Sequence, residues 1–219
     1  ANAAANAASP PVLDNSYCAD VTETLSVEGD KEPLQTNSYN LCVDGTSGTN
    51  RWSQEKSGGA GIAIFNGTDF WMLAPDSSSP GGYKCTHKYS GPEPNNIMPY
   101  TMTLIDAGAD LNKTETYDGV KNAQNWYHFR PGQSSGGMQT PTEYMHWHAS
   151  TGENAHLLAS ESIQDCPRPE YKGKLQHGVR DQSANRTKFI ERKLPSGVKC
   201  TEAASKPFQY GNFHTILFH

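Results

Sequence analysis

The sequence predicts an all-β protein: two stacked antiparallel sheets forming a curved half-barrel or sandwich, with little helix. Three observations lead there. Apolar runs are strand-sized, recur roughly every ten to twenty residues, and are separated by clusters of Gly, Pro, Asn and Asp. No segment beyond about twelve residues sustains a helical period. The composition agrees, with 35% hydrophobic residues, 20 Gly and 14 Pro in 219 residues. A chain with many turns and short apolar segments builds its core from sheets, and four Trp, ten Tyr and seven Phe supply buried surface that a disordered chain lacks.

Taken in order, residues 1–11 read as a disordered lead ending at Pro10-Pro11, and residues 12–219 as a single secreted β domain. Asp20–Val27 alternates polar and apolar residues, the pattern of a half-buried strand. Ser38–Val43 is a second strand, closed by the turn signal Asp44-Gly45. Gly61–Phe65 and Asp69–Leu73 flank Asn66-Gly67 and form the plainest hairpin. Met98–Ile105 and Asn125–Phe129 follow, with one or two helical turns expected over Asp118–Asn125. Residues 143–150 and 155–162 form a hairpin around Thr151-Gly152-Glu153-Asn154, and Thr187–Leu194 and Gln209–Phe218 are the last strands.

The formal charge of −5 and the absence of long Lys/Arg runs give no footprint for nucleic acid. No apolar stretch has the length of a membrane-spanning helix. Five cysteines, Cys18, Cys42, Cys85, Cys166 and Cys200, are dispersed without a C-x-x-C pair, which suits long-loop disulfides and leaves one thiol over. Sequons at Asn66, Asn112 and Asn185 make these the candidate glycosylation sites. The opening ANAAANAAS fits the end left by signal-peptide cleavage. Together these point to a secreted or vesicle-lumen glycoprotein.

The densest chemistry is EYMHWHASTGENAH. Strand alternation puts Tyr144, His146 and His148 on one face and Met145, Trp147 and Ala149 on the other. An H-x-H pair on a strand can hold zinc, because both imidazoles project from one face. His146 and His148 are therefore the candidate metal ligands, with a third to come from His87, His128 or His177. With Ser150 opposite Ala155, His156 falls on the Trp147 face, and only a one-residue bulge would bring it across. The competing reading is a polar sheet face over a core. Asp106, Asp110, Glu115 and Asp118 lack the alternating ligand pattern of a calcium loop and read as solvated.

Three stretches resemble the ependymin-related family: Val43-Asp44-Gly45 leading to Arg51-Trp52; GAGIAIFNGTDFWMLAPDSSSPGGYKC, from Gly59 to Cys85; and the histidine hairpin running to Asp165-Cys166-Pro167, with Cys200 matching a late family cysteine. The cysteine that family members carry just before the Gly59–Phe70 region has its nearest counterpart here in Cys42, displaced toward the N-terminus. The resemblance implies a secreted glycoprotein whose sheets enclose an apolar cleft, with hydrophobic or lipid ligands, calcium-linked behaviour, matrix contacts and dimers. Candidates for the cleft wall are Phe65, Phe70, Trp71, Leu73, Trp126, Phe129, Met145 and Trp147. The expected function is non-enzymatic binding of a hydrophobic or lipid-like ligand. The alternatives are a zinc-dependent hydratase or hydrolase built on His146 and His148, and a structural subunit of an extracellular assembly.

Overall fold

The structure, a computed structural model, describes residues 10–46, 51–90, 108–135, 138–140 and 142–200, with the backbone alone for 133–135 and 138–140. Its strands are β1 (Ser16–Val27), β2 (Gln35–Asp44), β3 (Arg51–Lys56), β4 (Ile62–Phe65), β5 (Asp69–Pro75), β6 (Tyr83–Ser90) and β7 (Asp110–Tyr117). They continue with β8 (Val120–Arg130), β9 (Gln133–Ser135), β10 (Met138–Thr140), β11 (Glu143–Ala149), β12 (Leu157–Asp165) and β13 (Leu175–Lys188). Apart from three one-turn 3-10 segments, all regular structure among the described residues is β. The all-β, antiparallel class read from the sequence is what the chain adopts.

Eleven strands share one sheet, in the order β6-β5-β4-β3-β2-β1-β13-β12-β11-β8-β7, while β9 and β10 form a separate ladder. No ladder joins β6 to β7 among the described residues. No helix among them is long and apolar enough to cross a membrane.

The chain groups into two compact units. Among the described residues, unit 1 draws on those within 1–14, 23–36 and 98–183, and unit 2 on those within 15–22, 37–97 and 184–219. Unit 1 builds its core on one face of β8 and β11, where Trp126 and Trp147 are direct cross-strand partners and both fully buried. Leu13, Ala109, Ala149, Ala155 and Leu157 complete the cluster, with Leu111 and Met145 against it. Burial of two tryptophans is the largest single apolar contribution such a unit can make.

Unit 2 is a run of hairpins, β3 to β6, apolar on both faces. Trp52, Phe65, Phe70 and Tyr89 are successive cross-strand partners on one face. Ile62, Ile64 and Leu73 lie on the other, against Leu194, Val198 and Cys200. Two disulfides, Cys18–Cys42 and Cys85–Cys200, belong to this unit, and Cys166 of unit 1 is a buried free thiol. Two disulfides fit an extracellular protein.

Several expectations need correction. Asp118–Asn125 is not helical: Asp118 (φ 45°) and Gly119 (φ 78°) form a two-residue turn between Tyr117 and Val120, and β8 starts directly after it. Asp-Gly with two positive φ values is the hairpin signal of a type I′ turn. The strand expected at Thr187–Leu194 ends at Lys188, because β13 spends its length from Leu175 onward pairing with its neighbours. The β11–β12 hairpin has a longer connection than expected. His148 opposes Ala159 and Ala149 opposes Leu157, with a bulge between them, since Ser150 N donates to His156 O and Ala155 N to Gly152 O in a compact loop. The strands expected at Met98–Ile105 and Gln209–Phe218 lie outside the described residues, as do Asp106 and residues 1–9 of the lead.

Candidate functional site

The histidine face of unit 1 is built by five adjacent strands. Along β11, Tyr144, His146 and His148 share a face, as alternation requires. Their partners on β8 are Phe129, Tyr127 and Asn125, and on β12 Ile163, Glu161 and Ala159. On β13, His177 opposes Ile163 and Val179 opposes Glu161. Met145 and His128, paired with each other, look to the opposite face.

His148 sits between two carboxylates. Its Nδ1 lies 2.6 Å from Glu115 Oε1 and its Nε2 2.8 Å from Glu161 Oε1. Ionised carboxylates only accept, so both ring nitrogens donate and the ring is an imidazolium. Burial pushes the His148 pKa down, but the bonds to Glu161 and Glu115 outweigh it and leave it above the ordinary histidine value. Glu161 is held far below the carboxylate range by its bonds to His148 and His177, against the opposing effect of burial. Its second oxygen accepts from His177 Nε2 at 3.0 Å. Burial raises Glu115, yet Lys113 (2.6 Å) and His148 bring it below its usual value.

The result is a continuous chain of contacts, Lys113, Glu115, His148, Glu161, then His177. The Tyr117 ring stacks on His148 at 4.1 Å. Burial and the surrounding carboxylates Asp181, Glu161, Asp118 and Glu115 keep the Tyr117 hydroxyl protonated. His146 joins from the side, its Nδ1 3.0 Å from Asn125 Oδ1, while Asn125 Nδ2 donates to Glu115. Burial, the largest influence on His146, lowers its pKa and favours the neutral ring.

Zinc ligation by His148 would have to displace one of its two carboxylate partners. Ligation needs a nitrogen lone pair, and both nitrogens of His148 direct protons at carboxylates. No group of three or more His, Cys, Asp and Glu side chains among the described residues is placed to hold a metal ion. Of the three suggested third ligands, His177 reaches the cluster, through Glu161. His128 faces the other side of β8, and His87 belongs to unit 2, where its ring lies against Phe70. The bulge that would have brought His156 across is present, but its Nδ1 is engaged by Ser150 Oγ and Asn154 O, both at 2.9 Å. Asp110 opens β7, Glu115 serves His148, and Asp118 accepts from Ser183 Oγ.

The eight candidate wall residues separate into four groups. Phe65 and Phe70 pack with Trp52. Leu73 is buried with Ile62 and Ile64, with Trp71 alongside. Trp126, Trp147 and Met145 belong to the unit 1 core. Phe129 is 42% exposed on the histidine face, its ring 5.1 Å from Tyr144. Among the sequons, Asn66 is exposed in the β4–β5 turn with Oδ1 accepting from Thr68 and Asp69, and Asn112 is exposed on β7. Asn185 is exposed too, with a φ of 52° and Nδ2 donating to Asp20.

Sequence reasoning did not single out Glu161, Tyr117, Asn125 or Lys113. One signal was present: Glu161 is a carboxylate inside the apolar run LLASESI, and a carboxylate drawn into a sheet interior needs a cationic partner. No family model matches this chain, and no curated protein matches it.

Proposed function

We propose that this protein is a secreted, non-enzymatic binder of a hydrophobic, lipid-like ligand. The observation that carries the reading is the row Val43, Trp52, Phe65, Phe70 and Tyr89, cross-strand partners in sequence on one face of β2 to β6. An antiparallel sheet ordinarily gives one face to water. Here residues 194–200 cover the opposite face, so these strands are apolar twice over. Trp52, Phe65 and Phe70 are buried at 2–3% exposure, and Val43, Ala63, Met72 and Tyr89 pack against them as the compliant side chains an apolar ligand would part to enter.

The test is native mass spectrometry before and after organic extraction, followed by titration with cis-parinaric acid, a fluorescent fatty acid. Excess mass that extraction removes, with saturable binding weakened at least tenfold in Trp52→Ala, is the expected result; tenfold corresponds to about 1.4 kcal/mol. Absence of both, or stoichiometric zinc with hydrolytic activity, would overturn the proposal. Concentration-dependent oligomers carrying no apolar mass would favour an assembly subunit instead.

A further inference from the structure

Residues 189–200 follow β13 and carry no regular structure. They nevertheless cover Ile62, Ile64 and Leu73, each at most 3% exposed, and all three rest against Leu194, Val198 and Cys200. The cover itself is thin. Ile190, Glu191, Arg192, Lys193, Ser196, Gly197 and Lys199 are exposed, and Phe189, Leu194, Pro195, Val198 and Cys200 are half-buried.

Several non-covalent contacts hold it. Arg192 pairs with Glu55 at 3.1 Å, Glu191 lies 3.7 Å from Arg51, Arg51 lies over the Phe189 ring, and Ile190 N donates to Cys18 Sγ at 3.3 Å. The turn at Pro195–Val198 nests on Pro80-Gly81 through two glycines. A Cβ on Gly81 would come within 2.9 Å of Ser196 O, and one on Gly197 within 2.7 Å of Pro80 Cβ. Ion pairs at such exposure contribute little. At its far end the attachment is covalent: the Cys85–Cys200 bond ties the segment to β6 across a separation of 115 residues.

The two disulfides differ in access. Cys18 and Cys42 are 4% and 7% exposed, whereas Cys85 and Cys200 are both half-buried. We propose that residues 189–200 are a redox-released strap: reduction of Cys85–Cys200 frees it and uncovers the apolar face of β4 and β5, while Cys18–Cys42 stays closed. The co-reactant is a dithiol. One of its thiolates attacks a sulfur of the Cys85–Cys200 bond, forming a mixed disulfide and expelling the other cysteine as thiolate. The second thiol then closes the reductant's own disulfide and releases the first cysteine. Two electrons pass to the protein bond, and the two thiol protons end on Cys85 and Cys200. The device concerns the face opposite the aromatic row and does not depend on a ligand there.

The experiment reduces the full-length protein with increasing dithiothreitol, traps thiols with iodoacetamide, and maps them by mass spectrometry. Hydroxyl-radical footprinting is run on the same samples. Cys85 and Cys200 should label before Cys18 and Cys42. At that point oxidation of Ile62, Ile64, Trp71 and Leu73 should rise at least fivefold, with Trp126 and Trp147 unchanged. The paired change Cys85→Ser with Cys200→Ser should give the same pattern without reductant; if that variant does not fold, the wild-type reduction series decides alone. The proposal fails if selective reduction leaves the four residues protected. It also fails if Trp126 and Trp147 become oxidised together with them, or if Cys18–Cys42 opens first.

Discussion

Replacing His148 with alanine removes the cation between Glu115 and Glu161. Two charge-assisted hydrogen bonds are lost, each contributing about 1.5–3 kcal/mol when the partner is charged. The stacked contact with Tyr117 adds about 0.5–1.5 kcal/mol. Two effects offset this. The Glu115 and Glu161 side chains are 17% and 22% exposed, so both carboxylates recover some hydration, and Glu161 keeps His177. The net expectation is a loss of about 3 kcal/mol, or roughly 6–12 °C in Tm for a chain of this length. The loss should depend on pH. The folded His148 pKa is raised, so its contribution is complete below the unfolded value near 6.5 and fades as pH rises through the higher folded value. Glu161 is depressed, so its contribution is present above its unfolded value near 4.5 and fades as pH falls. The gap between wild type and variant is therefore widest between about pH 4.5 and 6.5. Urea unfolding with the disulfides intact, followed by tryptophan fluorescence at about pH 6 and about pH 9, measures it. A variant within about 1 kcal/mol of wild type at the lower pH, or equally destabilised at both, would refute the imidazolium assignment.

Trp147→Ala empties the centre of the unit 1 core and should cost about 3–5 kcal/mol, read from the urea midpoint; a loss near that of a surface change would mean the two tryptophans do not organise it. Asp44 is nearly inaccessible, and although burial opposes its charge, Thr46 and Arg51 bring its pKa down to about 2. Set against 3.8 in the unfolded chain, that is about 2 kcal/mol present above pH 3.8 and lost as pH falls toward 2, so Asp44→Asn should be destabilised near neutrality and converge with wild type in acid. Gly119→Ala places a side chain at φ 78°, at a cost of about 1–2 kcal/mol; hydrogen exchange at Lys113–Tyr117 should accelerate, while β12 is unchanged.

How legible the molecule was follows the range of each signal. The Asn66-Gly67 hairpin was readable because its turn chemistry and its apolar flanks are contiguous. So was the common face of Tyr144, His146 and His148, since a period of two survives any shift of register by two residues, and the actual shift was of that kind. The Asp118-Gly119 turn carried an equally local signal, but polar residues after it hid the first half of β8 behind a helical reading, while Asn125–Phe129 was legible as strand. β3 and β6 are rich in charged and small residues, RWSQEK and YKCTHKYS, and take their strand character from neighbours that supply the ladder. The chain of contacts on the histidine face was beyond reach, because its members come from β7, β11, β12 and β13 and meet only once the strand order is known.

The edge strand shows why such a site is written in geometry more than in sequence. Leu111, Lys113 and Glu115 are spaced by two and in a regular strand would all face the same way. Yet Leu111 opposes Trp126, on the core side, while Lys113 opposes Asn125 and Glu115 opposes Ala123, on the histidine side. The register shift between Leu111 and Lys113 inserts Asn112 as an extra residue and reverses the alternation. Without it, Asp110 opposite Tyr127 would carry Glu115 to the Trp126 face, where an unpaired carboxylate would have to be buried among tryptophans. The bulge thus lets one edge strand give a leucine to the core and a carboxylate to His148 within five residues. Asn112, the residue that makes this possible, is left exposed at the sheet edge, where a bulge also discourages pairing with another chain.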